Sequence, residues 1–235
     1  MDFLSPQYAT VYARQHQYKQ LVLKTQRFID NCIATLQNPA QQAYCACSFG
    51  KDSSVLLHLL IQRLPEIKTV FVCYPETELL DNYSEVISKW KCNLTKLFID
   101  ADIEQEVNEK DIIPNWAMSN GYTLGFVGIR AEESKPRLIT LKKCGMLYQY
   151  KNDALSRATP LAWWKTQDIA AYIYTHQLPL LNTYKSEGGI IQRTTSGLAD
   201  DNYGFRKAQL LRLKQSDITR YNKIILQYPQ LAQYA

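Results

Sequence analysis

Between residues 43 and 176 the chain alternates two kinds of segment, and this restricts its fold more than any other feature. Short apolar runs stand at 43–47, 69–74, 94–99, 122–129 and 156–161. Longer stretches with apolar residues at helical spacing fall between or after them. These are 54–64, with Val55, Leu56, Leu59 and Leu60 on one side and Pro65 as its stop, then 77–91 and 166–176, with Thr166 as an expected N-cap. Strands that alternate with helices make a parallel sheet covered by helices. The expected fold is α/β and Rossmann-like: a parallel five-stranded sheet with helices on both faces. Residues 41–185 should form this α/β domain. Residues 8–36 read as one or two helices ended by Asn38-Pro39, which makes 1–40 an N-terminal helical extension. Residues 186–235 read as a loop followed by helices at 205–214 and 217–228. In open parallel sheets ligands bind beyond the carboxyl ends of the strands, so chemistry is expected in the loops that follow them.

Composition excludes several classes. The 235 residues are 46% hydrophobic and 21% charged, a globular balance that rules out disordered, collagen-like and coiled-coil chains. No apolar run is long enough to cross a bilayer, so no membrane partner is expected. Residues 1–7 lack the basic start and apolar core of a secretory signal. The six cysteines include no C-x-x-C pair, and the three histidines lie far apart. Disulfides, zinc and an iron–sulfur cluster are therefore not expected, and the compartment reads as reducing and cytoplasmic. The net charge of +5 is uneven: residues 66–112 are acidic, and 129–165 and 185–235 are basic. A basic second half suits an anionic ligand, either a nucleotide or a nucleic acid. A homo-oligomer is also an open expectation.

The first apolar run leads into Ser48-Phe49-Gly50-Lys51-Asp52-Ser53-Ser54 and then a helix. The loop is neither a Walker A motif nor a G-x-G-x-x-G fingerprint. It still makes an anion cradle. Gly50 lets the backbone approach a ligand, and the N–H groups that open the next helix point at it. Ser48, Ser53 and Ser54 add hydroxyls, and Lys51 adds a point charge. Asp52 is a poor neighbour for phosphate, which leaves it to hold Mg²⁺ or to cap the helix. A second loop, Gly128-Ile129-Arg130-Ala131-Glu132-Glu133-Ser134-Lys135-Pro136-Arg137, follows the fourth run. Gly128 permits close approach at a strand end. Arg130 and Arg137 offer planar forks suited to phosphate or sulfate oxygens. A plain basic loop with Glu133 paired to Arg137 four residues on is the alternative reading.

Residues 48–53 resemble the Ser-Gly-Gly-x-Asp-Ser pyrophosphate loop of the adenine nucleotide alpha-hydrolase (PP-loop) superfamily, with Phe49 in place of the first glycine. Residues 128–137 resemble the Gly-x-Arg-x-x-Glu/Gln-Ser-x-x-Arg segment of the phosphoadenosine phosphosulfate (PAPS) reductase family. Pro160-Leu161, Trp164, Asp168-Ile169, Tyr172-Ile173, His176, Leu178-Pro179 and Tyr184 are similar to a third segment of that family, which by its chemistry reads mostly as core. The resemblance spans about residues 43–195. It implies that Ser48, Phe49, Gly50, Lys51, Asp52, Ser53, Gly128, Arg130, Ser134, Arg137 and Arg193 bind an adenine nucleotide, ATP or PAPS. Lys51, Arg130 and Arg137 carry the catalytic charge in this reading, and Asp52 the Mg²⁺.

Two departures separate the chain from the family pattern. Cys73-Tyr74-Pro75 stands where the family has Asp-Thr-Gly, although Glu76-Thr77 offers a later Glu-Thr. The family's tail Cys, which attacks the sulfonucleotide sulfur, has no counterpart, because residues 145–235 contain no cysteine. Cys144, beside Lys142 and Lys143, is the candidate replacement nucleophile, and a buried spectator thiol is the competing reading. Three functions stay open. The first is an enzyme that cleaves ATP between the α- and β-phosphates to adenylylate an acceptor, as in sulfur transfer. The second is a sulfonucleotide reductase or sulfonucleotide-handling enzyme, and the third is a nucleotide-binding module without turnover.

Overall fold

A computed structural model of the chain describes residues 5–99, 109–149, 155–185, 189–191 and 203–234. Helices α1 (Pro6–Tyr12) and α2 (His16–Ala34) come first, and Ser5 opens α1 by accepting the Tyr8 N–H. The short α3 (Pro39–Gln42) leads into β1 (Ala43–Ala46), α4 (Lys51–Ile61) and β2 (Lys68–Cys73). Then come α5 (Thr77–Leu80), α6 (Tyr83–Ser88), β3 (Asn93–Phe98), α7 (Glu109–Ser119) and β4 (Leu124–Val127). The second half holds α8 (Lys135–Cys144), β5 (Leu147–Gln149), β6 (Ser156–Ala158), α9 (Thr166–His176), α10 (Tyr203–Ser216) and α11 (Ile218–Gln227).

The strands form one sheet in the order β3-β2-β1-β4-β6-β5, parallel except for β5, which runs antiparallel beside β6. The expected α/β fold with a parallel five-stranded sheet is present, and β5 is a sixth strand added at its edge. Along β1, Ala43 and Cys45 face one layer while Tyr44 and Ala46 face the other, as a two-residue period requires. The first layer is the larger and joins Ile29 of α2, Val55, Leu56, Leu59 and Leu60 of α4, and Ile169, Tyr172 and Ile173 of α9. The second is built on Tyr44, Val70 and Ala117, with Ile113 and Trp116 of α7 against them. Gly125 of β4 lies under the Tyr44 ring, where a Cβ would come within 2.5 Å of its hydroxyl.

Both ends of the chain dock on this core. Tyr12 of α1 donates to Asp168 of α9 (2.8 Å), and burial followed by that carboxylate pushes its hydroxyl up to about 12. At the other end Leu210, Ile224 and Leu231 enclose Leu80 of α5.

The expected helix over 77–91 breaks in two, because Asp81 leaves the helical conformation (φ −160°, ψ 179°). Its buried carboxylate instead accepts the N–H groups of Asn82 (2.8 Å), Asn182 (2.9 Å) and Thr183 (3.1 Å), and the Thr183 hydroxyl (2.7 Å). Those tertiary bonds outweigh the helical pattern. Helix α9 has the expected span, with Lys165 rather than Thr166 as its cap residue.

Candidate functional site

β1 and β4 are neighbours, yet the chain leaves β1 toward β2 on one side and returns to β4 on the other. The carboxyl ends of these two strands mark the topological switch point, the expected place for a ligand in such a sheet. A cavity of about 320 Å³ lies there. Ser48, Gly50, Lys51, Asp52 and Ser53 line it from the β1 side and Val127, Gly128 and Ile129 from the β4 side. Arg137 and Glu133 close one flank, and Tyr184 closes another.

The β1–α4 loop is held in an unusual conformation. Phe49 has φ 52°, in the left-handed region where a side chain costs about 1–2 kcal/mol. Its ring is fully buried and meets Phe71 edge-on, with centroids 5.3 Å apart. Burying such a ring contributes about 1.5–3 kcal/mol, enough to offset the strain. The side chain therefore points into the core while the backbone turns the loop. Gly50 opens α4, and no side chain caps that helix start. The first-turn N–H groups and the positive end of the helix dipole are thus presented to the cavity. The Ser48 and Ser53 hydroxyls lie 3.2 Å apart, and Ser53 also donates to the Gly50 carbonyl (3.1 Å). Lys51 is buried, with Nζ 3.3 Å from Asp52 Oδ2 and 5.5 Å from the centre of the Tyr184 ring.

The β4 loop is fitted against this cradle. A Cβ on Gly128 would sit 3.2 Å from the Asp52 carbonyl carbon and from Ser53 Cα, so glycine allows the two loops to touch. Arg130 is 2% exposed and does not line the cavity. Its Nε donates to Asp52 Oδ1 (2.7 Å), and its Nη1 donates to Glu132 (2.7 Å) and the Trp164 carbonyl (3.3 Å). Glu132 in turn accepts the N–H (2.6 Å) and hydroxyl (2.8 Å) of Thr166, the first residue of α9. Burial opposes the Arg130 charge, but Asp52, Glu132 and Glu133 outweigh it, so the guanidinium sits above its ordinary pKa. Burial pushes Glu132 up, and the Thr166 and Arg130 hydrogen bonds bring it below the usual carboxylate range.

The expected residues thus divide. Ser48, Gly50, Lys51, Asp52, Ser53, Gly128 and Arg137 meet at one cavity. Phe49 and Arg130 stand behind it. Ser134 caps α8 by accepting the Arg137 N–H (3.4 Å), and Arg193 lies outside the described residues. Arg137 is ion-paired with Glu133, one turn before it. Sequence reasoning did not nominate Tyr184, Glu133, Tyr74 or Ile113, which also line the cavity. Two of these carried a signal: Tyr184 as the last residue of the third family-like segment, and Glu133 as the Glu/Gln position of the second, where its expected pairing with Arg137 is present.

Cys47 lines the cavity, but burial pushes its thiol up to about 12 despite hydrogen bonding by the Phe49 backbone and Ser53. Cys144 is exposed at the end of α8 and does not line the cavity. Asp52 fits poorly as a resident Mg²⁺ ligand, because Arg130 holds one of its oxygens and Lys51 approaches the other. Among the described residues no group of three or more His, Cys, Asp or Glu could hold a metal ion, and no helix is long and apolar enough to cross a membrane.

Residues 42–189 match the model of the phosphoadenosine phosphosulfate reductase domain. A phosphoadenosine 5'-phosphosulfate reductase of Xanthomonas campestris pv. campestris is 26% identical over 179 residues, which cover 67% of this chain and 72% of the relative. The reductase of Xanthomonas axonopodis pv. citri is 26% identical over 168 residues, 61% of this chain and 66% of its own length. The FMN adenylyltransferase of Candida glabrata in complex with ATP shares the fold with a TM-score of 0.53 at 18% identity, over 72% of this chain and 62% of that one.

Proposed function

The chain belongs to the phosphoadenosine phosphosulfate reductase domain family, and from that premise we propose that its switch-point cavity binds ATP and cleaves it between the α- and β-phosphates to adenylylate an acceptor. The observation that carries this reading is the uncapped start of α4 facing the cavity, flanked by Lys51 and the Ser48 and Ser53 hydroxyls. First-turn N–H groups and a buried ammonium stabilise phosphate oxygens without moving during the reaction. In the transfer an acceptor oxygen bonds to the α-phosphorus. The bond from that phosphorus to the bridging oxygen breaks, and its electron pair leaves with pyrophosphate. A hydroxyl acceptor releases its proton to solvent. The protein's part is to hold the groups in line and balance charge. Lys51 and Arg137 face the phosphates, whereas Arg130 acts through Asp52 as a positioning residue.

The second reading is sulfonucleotide reduction, which the named activity of the Xanthomonas relatives favours. It needs a reactive thiolate at the nucleotide. In this chain Cys47 is the cysteine that lines the cavity, and burial holds it as the thiol. The basic surface of α8, with Lys135, Lys142 and Lys143, leaves a nucleic acid as one class of acceptor.

Two measurements test the proposal. Calorimetric titration with ATP, adenylyl sulfate and PAPS side by side should give tight ATP binding, and Lys51→Ala should weaken it at least about tenfold, as loss of a charge-assisted contact predicts. PAPS supplied with a thioredoxin system should release no sulfite. Sulfite release, whether or not it survives Cys47→Ser and Cys144→Ser, or ATP affinity unchanged in Lys51→Ala, would refute it.

A further inference from the structure

A second cavity, of about 550 Å³, opens between α5 and the C-terminal helices. It shares a wall with the first. In the 3-10 turn Asn182–Tyr184, Thr183 lines the second cavity and its neighbour Tyr184 lines the first. Buried Asp81 fixes that turn through the N–H groups of Asn182 and Thr183 and the Thr183 hydroxyl.

The opposite wall comes from α10 and α11. The charged lining of the cavity as a whole balances, with Arg212 and Arg220 against Asp81 and Asp217. Asp217 caps α11 by accepting the Arg220 N–H (3.0 Å), and its second oxygen pairs with Arg220 Nε (3.3 Å). Arg212 is partly buried; burial lowers its guanidinium below its ordinary pKa, and nearby Tyr184 offsets only part of that. Arg212 therefore stands at the shared wall. Gln209, also lining the cavity, has its Oε1 buried without a hydrogen-bond partner. Leaving such an oxygen unmade costs about 1–3 kcal/mol. The last torsion of a glutamine is soft, so the carboxamide turns toward a donor without moving its helix.

A lining with no excess charge does not select a polyanion, whose binding needs uncompensated cations. It matches a ligand that carries both signs. We propose that this cavity binds a free α-amino acid, with its ammonium donating to Gln209 Oε1 and its carboxylate facing Arg212 at the shared wall. The volume lies within the range of about 300–1,000 Å³ usual for small-molecule sites.

The test is thermal unfolding of the full chain, without nucleotide, with each proteinogenic amino acid in turn at millimolar concentration. At least one should raise the midpoint. Gln209→Leu and Arg212→Met should each weaken that amino acid about tenfold, the effect of one lost hydrogen bond or ion pair. Gln209→Glu, which keeps an acceptor oxygen, should retain it. The proposal is overturned if no amino acid raises the wild-type midpoint, or if the rise is equal in wild type and both losing variants. ATP affinity on the same samples reports the first cavity separately. Loss of ATP binding with amino-acid binding intact leaves this site standing.

Discussion

The two cavities are made of different material. The first is built largely from main chain: a strained loop, an uncapped helix start and a glycine that lets two loops touch. The second is built from side chains on helices that dock on α5, through Leu79, Leu80 and the Glu78 carbonyl, and that face the Asn182–Tyr184 turn across the cavity. A site made of backbone needs its neighbours to hold the backbone still. A site made of side chains needs only that its helices stay docked. Damage to the first should therefore spread through the core, and damage to the second should stay local.

Arg130→Ala tests that contrast most severely. It leaves Asp52 and Glu132 without their buried cation, a loss of about 3–5 kcal/mol for a broken buried pair. Urea unfolding should show it, and Arg130→Lys should not restore the wild-type value, since lysine lacks the fork that reaches both carboxylates. A loss below about 1 kcal/mol would mean that the two loops hold together without this bridge. Ile224→Ala should come next. It empties part of the cluster around Leu80 and should lower stability by about 2–4 kcal/mol. ATP affinity should not change, and a parallel fall in affinity would erase the distinction between the regions. A third prediction concerns the side of α4 away from both cavities. Burial and then His176 lower His58 from its ordinary 6.5 to about 4. The folded state thus disfavours the proton that the unfolded chain accepts. Stability should be full above pH 6.5 and decline as the pH falls toward 4, and His58→Gln should flatten that slope in a pH series of thermal midpoints.

The difference in material also explains what the sequence could reveal. Main-chain sites leave spacing behind: Ser48 and Gly50 before a helix, Ser53 in its first turn and Gly128 after a strand could be read directly. The alternation that gave the parallel sheet was legible for the same reason, since strand and helix periods are local. The structure of 77–91 was not, because what breaks it is Asp81 bonding to residues a hundred positions away. β5 is only three residues long and is partnered solely by β6, so no period could announce it. Helix α7 carries Pro114 within it, which hides its pattern. α8 was missed although Ser134, Pro136 and Gly145 bracket it as cap, first-turn proline and positive-φ stop. Arg130 shows a different limit. Its place in a family-like segment is visible, but its direction is not: the guanidinium faces inward to Asp52, and only the fold reveals that.

The Asn182–Tyr184 turn has a thermodynamic consequence. Two consecutive residues of one short turn touch different chambers, so a displacement of the turn is felt in both. If an occupant of one chamber shifts that turn, linkage requires that an occupant of the other alter the first one's affinity by the same factor. Buried Asp81, which grips the turn through three of its hydrogen bonds, then sets how stiffly the two chambers communicate.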